Sequence, residues 1–211
     1  MGNPKKRKAR EKATKKRLAH ERHQAQQAPQ PVASRLAVTY STPEALVSIG
    51  PMVKASWQMP PVLAQALQAM GRAVPGPVWG YMLVDTGATA TCMALDAADE
   101  LGLTRVRLQT TYGVGGRHDN AVFEALLMLA IDEGGVRTTV TANLQVMGVP
   151  ELGTLLQHVP LVTDSEGFPK RLIGLLGRDF LRHATLVYRG SQGVVEIKLD
   201  LASMGRETLT L

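Results

Sequence analysis

The order of apolar and polar residues predicts a chain built mainly from short strands. Between residues 136 and 146, apolar side chains alternate with polar ones, a period of two that is typical of a strand with one buried face. Residues 121–131 form a nearly continuous apolar run, which predicts a buried strand. Further strands are predicted at residues 52–57, 78–84, 105–109 and 172–176, and a hairpin at residues 185–199.

Two segments have helical spacing instead. Apolar residues recur every three or four positions between residues 62 and 70, and we expect Leu63, Leu67 and Met70 to face the core. Residues 94–101 predict a second short helix, which Gly102 would end. Many short strands joined by Gly-rich turns, with one or two short helices, predict a mainly β fold, either a barrel or a sandwich.

Positive charge is concentrated at the N-terminus. The chain of 211 residues has a net charge of +6, but residues 1–28 alone carry ten Lys or Arg and two acids. This tail has few apolar residues and cannot bury enough surface to offset the entropy lost on folding. We therefore expect a basic, disordered tail and linker over residues 1–34, a globular domain over residues 35–204 and a C-terminal extension over residues 205–211.

The basic tail permits two interpretations. Its ten cations could bind a nucleic acid or another anionic surface in a salt-dependent way. Alternatively, residues 1–28 are a solvated segment that only aids solubility. The sequence favours neither interpretation.

The composition excludes several classes of protein. No run approaches the ~20 apolar residues of a membrane-spanning helix, so no membrane span is expected, and no apolar stretch follows the basic N-terminus as it would in a secretory signal. Cys92 is the only cysteine, which excludes an intramolecular disulfide and a multi-cysteine zinc site and favours a reducing compartment. We expect a soluble cytoplasmic protein in which Cys92 is a small core residue.

The segment most informative about chemistry is the apolar strand at residues 78–84 with the residues that follow it, Asp85, Thr86, Gly87 and Ala88. This order places a carboxylate at the end of a buried strand, where its surroundings can tune its protonation. Gly87 lets the backbone turn sharply and lets another chain come close. The Thr86 hydroxyl can hold the turn.

Two further segments complete the pattern. Residues 172–181 run from an apolar strand through Gly177 into a helical turn, and Gly177 would permit close packing against a neighbouring strand. Residues 112–116, with the sequence YGVGG, lie between two predicted strands. They predict a hairpin tip rather than a phosphate-binding loop, because neither a Gly-Lys-Ser/Thr sequence nor a helix follows them.

In this order the three segments resemble those of the retropepsin-like (retroviral-type) aspartic proteases, over roughly residues 50–200. The resemblance implies a single-lobed acid-protease β-barrel that needs neither a cofactor nor a metal. It also implies a catalytic aspartate, an active-site loop, a flap over the substrate and a supporting corner behind the aspartate. Asp85 would be the catalytic aspartate, and Thr86, Gly87 and Ala88 would form the active-site loop. The flap would consist of Gly113, Val114, Gly115 and Gly116, and the supporting corner of Leu176, Gly177 and Arg178.

The family's chemistry needs two aspartates, whereas this chain has one such motif, so the resemblance implies a homodimer. One Asp85 carboxylate would take a proton from a water, while the other, protonated, would polarise the scissile carbonyl of a peptide or protein substrate. Two neighbouring carboxylates cannot both ionise cheaply, so they share one proton. We therefore expect activity to peak in acid to mildly acid conditions.

One of the departures from the viral pattern lies in the active-site segment. Viral members place an acid two residues after the first glycine, where it pairs with the arginine of the second motif; here that position is Thr89, although Arg178 is present. Asp179 is predicted to be a helix cap or ion-pair partner rather than a second catalytic acid. Two alternatives stay open: a non-proteolytic module of the same fold that binds peptides or dimerises, and a nucleic-acid-associated protein that acts through its basic tail.

Overall fold

The computed structural model describes residue 16 and residues 33–39, 43–113, 116–133, 136–154, 171–200 and 203–204. The chain divides into two units, Met1–Val32 and Ala33–Leu211. Apart from Lys16, the predicted basic tail at residues 1–28 lies outside the described residues. The same holds for Val114 and Gly115 of the predicted flap and for the C-terminal extension at residues 205–211.

Strands dominate the described residues, and the helices are short. The strands are β1 (Ala33–Thr39), β2 (Met52–Gln58), β3 (Val78–Val84), β4 (Cys92–Ala94), β5 (Arg107–Gly113), β6 (Gly116–Glu133), β7 (Val136–Val149), β8 (Leu172–Leu176), β9 (Ala184–Arg189) and β10 (Val194–Asp200). The helices are α1 (Pro43–Ile49), α2 (Pro61–Ala69), α3 (Leu95–Glu100) and α4 (Arg178–Leu181). Within this part of the chain, no helix has the length and hydropathy required to cross a bilayer.

Six of the described strands close into a barrel. Neighbouring strands of the larger sheet follow the order β2-β3-β8-β4-β7-β6-β5, and β2 also pairs with β6. This extra pairing joins the two sides of the sheet and leaves β5 outside the closed ring, attached only to β6. A separate sheet has the order β1-β10-β9. The prediction of a mainly β fold with a barrel is therefore confirmed.

The barrel core is filled by residues that alternate along the strands. Trp57, Met82, Leu127 and Ile173 come from four different strands and are almost completely buried. Full burial of a side chain of this size contributes roughly 1.5–3 kcal/mol. The polar group of Trp57 is satisfied as well, because its indole Nε1–H donates to the Ile173 carbonyl at 2.9 Å. The core thus fixes β8 between β3 and β4.

The helices differ from the sequence-based expectation in two ways. Instead of one or two helices, the described residues contain four α-helices and two short 3-10 helices, Leu152–Thr154 and Gly190–Gln192. The predicted helix at residues 62–70 is present as α2, but its assignment to the core was wrong, since no residue of α2 is buried and Leu63 and Met70 are 42% and 63% exposed. The strands already fill the barrel interior, so this apolar helix lies at the surface.

Candidate active site

Asp85 lies immediately after β3, at one end of the barrel. β3 runs parallel to β8, with Val84 opposite Leu176. The Asp85 backbone N–H continues this pairing by donating to the Leu176 carbonyl at 3.0 Å. Because β3 ends at Val84, the Asp85 side chain leaves the buried part of the sheet and is itself only half-buried. The strand therefore delivers a carboxylate to the protein surface, with its backbone still anchored to the sheet.

The two oxygens of the Asp85 carboxylate have different surroundings. Oδ1 accepts the backbone N–H of Gly87 at 2.8 Å and that of Ala88 at 3.2 Å. Oδ2 accepts no hydrogen bond from the described residues. One oxygen is thus held by the loop, and the other is available to a water, a substrate or a second carboxylate.

Gly87 serves this carboxylate through its small size rather than through an unusual backbone conformation. Its φ is not positive. A Cβ at this position would lie 3.1 Å from Asp85 Oδ1, closer than most such contacts allow. Both Gly87 and the neighbouring Thr86 are exposed.

The predicted supporting corner lies directly against the Asp85 loop, which we define as residues 85–91. Two backbone hydrogen bonds join them: Arg178 N–H donates to the Ala88 carbonyl at 3.0 Å, and Asp179 N–H donates to the Thr89 carbonyl at 3.3 Å. Together with the bond between Asp85 and Leu176, they fix the loop along much of its length.

Gly177 allows this close approach. It is buried, and a Cβ at this position would overlap the backbone atoms of Ala90 and Thr91. Backbone atoms have little room to move aside, so only glycine fits between β8 and α4. Gly177 was predicted to pack closely against a neighbouring strand; it packs closely, but against loop residues 90–91, just before β4.

A hydrogen-bonded network of side chains holds the C-terminal end of the Asp85 loop, and it was not predicted from the sequence. Thr91 is fully buried, and Asp179 Oδ1 accepts both its backbone N–H at 2.8 Å and its hydroxyl at 2.7 Å. The same oxygen accepts the Phe180 N–H at 2.8 Å, and the Thr91 hydroxyl accepts the Gly177 N–H at 3.2 Å. Asp179 lies in the first turn of α4 but does not cap it, because the N-cap residue is Gly177 and no described side chain caps this end. The predicted role as a helix cap is therefore wrong, and the carboxylate instead holds the end of the Asp85 loop. A polar residue directly before the apolar β4 was the only signal for Thr91.

Cys92 is a buried residue next to this network, as predicted. Its thiol donates to the Ala90 carbonyl at 3.5 Å. Burial, followed by the negative charges of Asp179 and Asp85, raises the pKa of the Cys92 thiol from 9.0 to about 11. The thiol is therefore protonated at neutral pH and is a poor nucleophile.

We expect alkylation of Cys92 by iodoacetamide at pH 8 to be at least about 100-fold slower in the native protein than in denaturant, because the thiolate is the reacting form. The native rate should keep rising until the pH passes about 11. Mass spectrometry of timed samples measures both rates, with Cys92→Ala as the unlabelled control. Equal rates in the native and denatured protein would contradict this prediction.

The predicted flap corresponds to the hairpin of β5 and β6. Gly113 pairs with Gly116 next to the tip, and Gly116 has a φ of +100°, a conformation that favours glycine. Tyr112 is 81% exposed beside the tip. In the part of the chain that the structure describes, no hydrogen bond joins this hairpin to the Asp85 loop.

The histidines and the clefts of the described residues do not belong to the Asp85 site. His118 is exposed, and His183 bonds to Ser203 through Nδ1 at 2.9 Å. No three His, Cys, Asp or Glu residues of the described segments are grouped so that they could hold a metal ion. Two clefts border residues 143–145, one beside α2 and the other beside α4, and Asp85 lines neither of them.

Comparisons of this chain with protein-family models, with curated proteins and with solved structures found no match. The residues around Asp85 provide a half-buried carboxylate that the loop anchors through one oxygen, while the other oxygen accepts no hydrogen bond from the described residues. Thr86, Gly87 and Thr89 of this loop are exposed, whereas Thr91 is fully buried.

Proposed function

We propose that this protein is an aspartic endopeptidase of the retropepsin-like type, in which the Asp85 carboxylates of two copies hydrolyse a peptide bond. The observation that carries the proposal is the hydrogen bonding of the Asp85 carboxylate. Its Oδ1 is held by the N–H groups of Gly87 and Ala88, while its Oδ2 is uncommitted among the described residues. A carboxylate fixed in this way is suited to take a proton from a water, because its orientation costs nothing further at the moment of reaction.

The proposed reaction follows from a pair of such groups. The ionised Asp85 accepts a proton from a water, and the water oxygen attacks the peptide carbonyl carbon. The protonated Asp85 of the other copy donates a hydrogen bond to the carbonyl oxygen and stabilises the charge that develops there. When the C–N bond breaks, the pair supplies the proton that the leaving nitrogen requires. One proton is shared, since two neighbouring ionised carboxylates would repel each other strongly.

A second copy is part of the proposal because, among the described residues of one chain, no second carboxylate is hydrogen-bonded to Asp85. Asp179 is the acid of the Thr91 network, but its Oδ1 already accepts three hydrogen bonds from Thr91 and Phe180. Thr86 and Gly87 are exposed beside the carboxylate, so they are accessible to a second chain and to a substrate. A two-fold axis near Asp85 would bring the two carboxylates together.

Subunit mixing tests this requirement. With wild type held at a fixed concentration, a ninefold excess of Asp85→Asn protein should lower the rate of peptide cleavage to about one tenth, because exchange leaves few wild-type pairs. The same excess of Asp99→Asn, which changes an exposed acid on α3, should raise the rate instead. A rate that excess Asp85→Asn leaves unchanged after subunit exchange would mean that a single chain carries the reaction.

A further inference from the structure

We infer that Asp179 and Thr91 are positioning residues, which hold the Asp85 loop in its reactive geometry in place of an arginine–acid pair. This inference rests on the proposed function, since it concerns how the same carboxylate is held. In the viral pattern, an acid at the position of Thr89 would pair with Arg178. Here Thr89 is exposed and has no charge, and Arg178 forms no ion pair with another described residue.

The link between Asp179 and Thr91 is more strongly bonded than the backbone contacts around it. The carboxylate accepts the Thr91 N–H at 2.8 Å and the Thr91 hydroxyl at 2.7 Å. The nearest backbone bond, from Asp179 N–H to the Thr89 carbonyl, is 3.3 Å long. Hydrogen bonds to an ionised acceptor are about twice as strong as those between neutral groups. The side-chain link is therefore the stronger connection between α4 and the end of the loop.

The Thr91 hydroxyl extends this link to β8. It donates to Asp179 and accepts the Gly177 N–H at 3.2 Å, so one side chain joins both sides of the corner. Thr91 is fully buried, which excludes water as a substitute partner. Without its hydroxyl, the Gly177 N–H would lose this acceptor.

The position of Asp85 depends on both ends of its loop. The bond from Asp85 N–H to the Leu176 carbonyl fixes the first end, and the link between Thr91 and Asp179 fixes the last. Among the described residues, only N–H groups of the loop donate hydrogen bonds to the Asp85 carboxylate. A loop that shifts therefore carries the carboxylate with it, and a misplacement of about 1 Å can lower a rate about 100-fold.

The test uses matched pairs of variants. Asp179→Ala removes the acceptor, whereas Asp179→Asn keeps an oxygen at the same place. Thr91→Val removes the hydroxyl at constant shape, whereas Thr91→Ser keeps it, which provides a second pair if Asp179→Ala does not fold. Asp99→Ala is the control for loss of an exposed acid. The kinetic substrate is a fluorogenic peptide built on the bond that wild type cleaves fastest.

We expect kcat per folded protein to fall at least about tenfold in Asp179→Ala and in Thr91→Val, with KM changed less than about threefold. Asp179→Asn, Thr91→Ser and Asp99→Ala should stay within about threefold of wild type. Amide hydrogen exchange of residues 85–91 should accelerate in the first two variants only. A purely structural role would lower the melting temperature without changing kcat per folded protein.

The outcomes separate the two proposals. If wild type cleaves peptides and Thr91→Val has the kcat of wild type, the positioning role is wrong and the proposed function stands. If wild type shows no Asp85-dependent cleavage, the proposed function is wrong, and amide exchange then decides whether the loop is held. Exchange in residues 85–91 that is the same in Thr91→Val, Asp179→Ala and wild type would overturn the inference in either case.

Discussion

Asp85→Asn should abolish peptide cleavage, with a loss of about 10³-fold or more, while the protein keeps its fold. The amide oxygen of asparagine can accept the N–H groups of Gly87 and Ala88, which now bond to Asp85 Oδ1 at 2.8 and 3.2 Å. The loop therefore keeps its local bonds. An amide, however, cannot take the proton from a water, so the proposed reaction loses its base.

The comparison needs proof that the variant is folded. We expect the thermal midpoint of Asp85→Asn to lie within a few degrees of wild type, since its side chain is half-buried and isosteric. Asp99→Asn is the matched control, because it makes the same change at an exposed acid and should cleave as wild type does. A folded Asp85→Asn protein that cleaves at the wild-type rate would contradict the role of Asp85.

Gly177→Ala should destabilise the protein by about 3 kcal/mol or more, since a methyl group there overpacks a site closed by backbone. Its Cβ would overlap the carbonyl group of Ala90 and the nitrogen of Thr91. The cost is steric and not conformational, because the φ of Gly177 is −86°, which any residue can adopt. For a domain of this size the expected drop in melting temperature is about 6–12 °C.

Gly76→Ala is the control for this prediction. A Cβ at Gly76 meets no atom within 4 Å, and the φ of Gly76 is not positive. Its free energy of unfolding should stay within about 0.5 kcal/mol of wild type. Urea unfolding followed by circular dichroism measures both variants. Equal stability of Gly177→Ala and Gly76→Ala would contradict this prediction, because it would show that the backbone around Gly177 can move to make room for a methyl group.

Local patterns predicted the parts of the site that are continuous in sequence. An apolar run followed by an acid was enough to predict β3 and the position of Asp85 at its end. Glycines between two strands were enough to predict the hairpin of β5 and β6. Each of these features depends on residues that are neighbours in the chain, so the sequence carries them directly.

Specific contacts between distant residues escaped prediction, although a barrel was expected. Thr91 and Asp179 meet across 88 residues of chain, and nothing in either local segment indicates this contact. The closure of the barrel depends on the pairing of β2 with β6, a long-range register that no local pattern sets. The apolar spacing of α2 predicted its helix correctly but could not show that the strands already fill the core.

The most direct test of the central claim is peptide mapping by mass spectrometry. Wild type and Asp85→Asn are each incubated with a denatured protein mixture from acid to neutral pH, and the new peptide termini are compared. We predict termini that appear only with wild type, with the highest yield in acid to mildly acid conditions. If folded, dimeric wild type produces no Asp85-dependent termini at any pH, it is not a peptidase, and the result favours a non-proteolytic module that binds peptides.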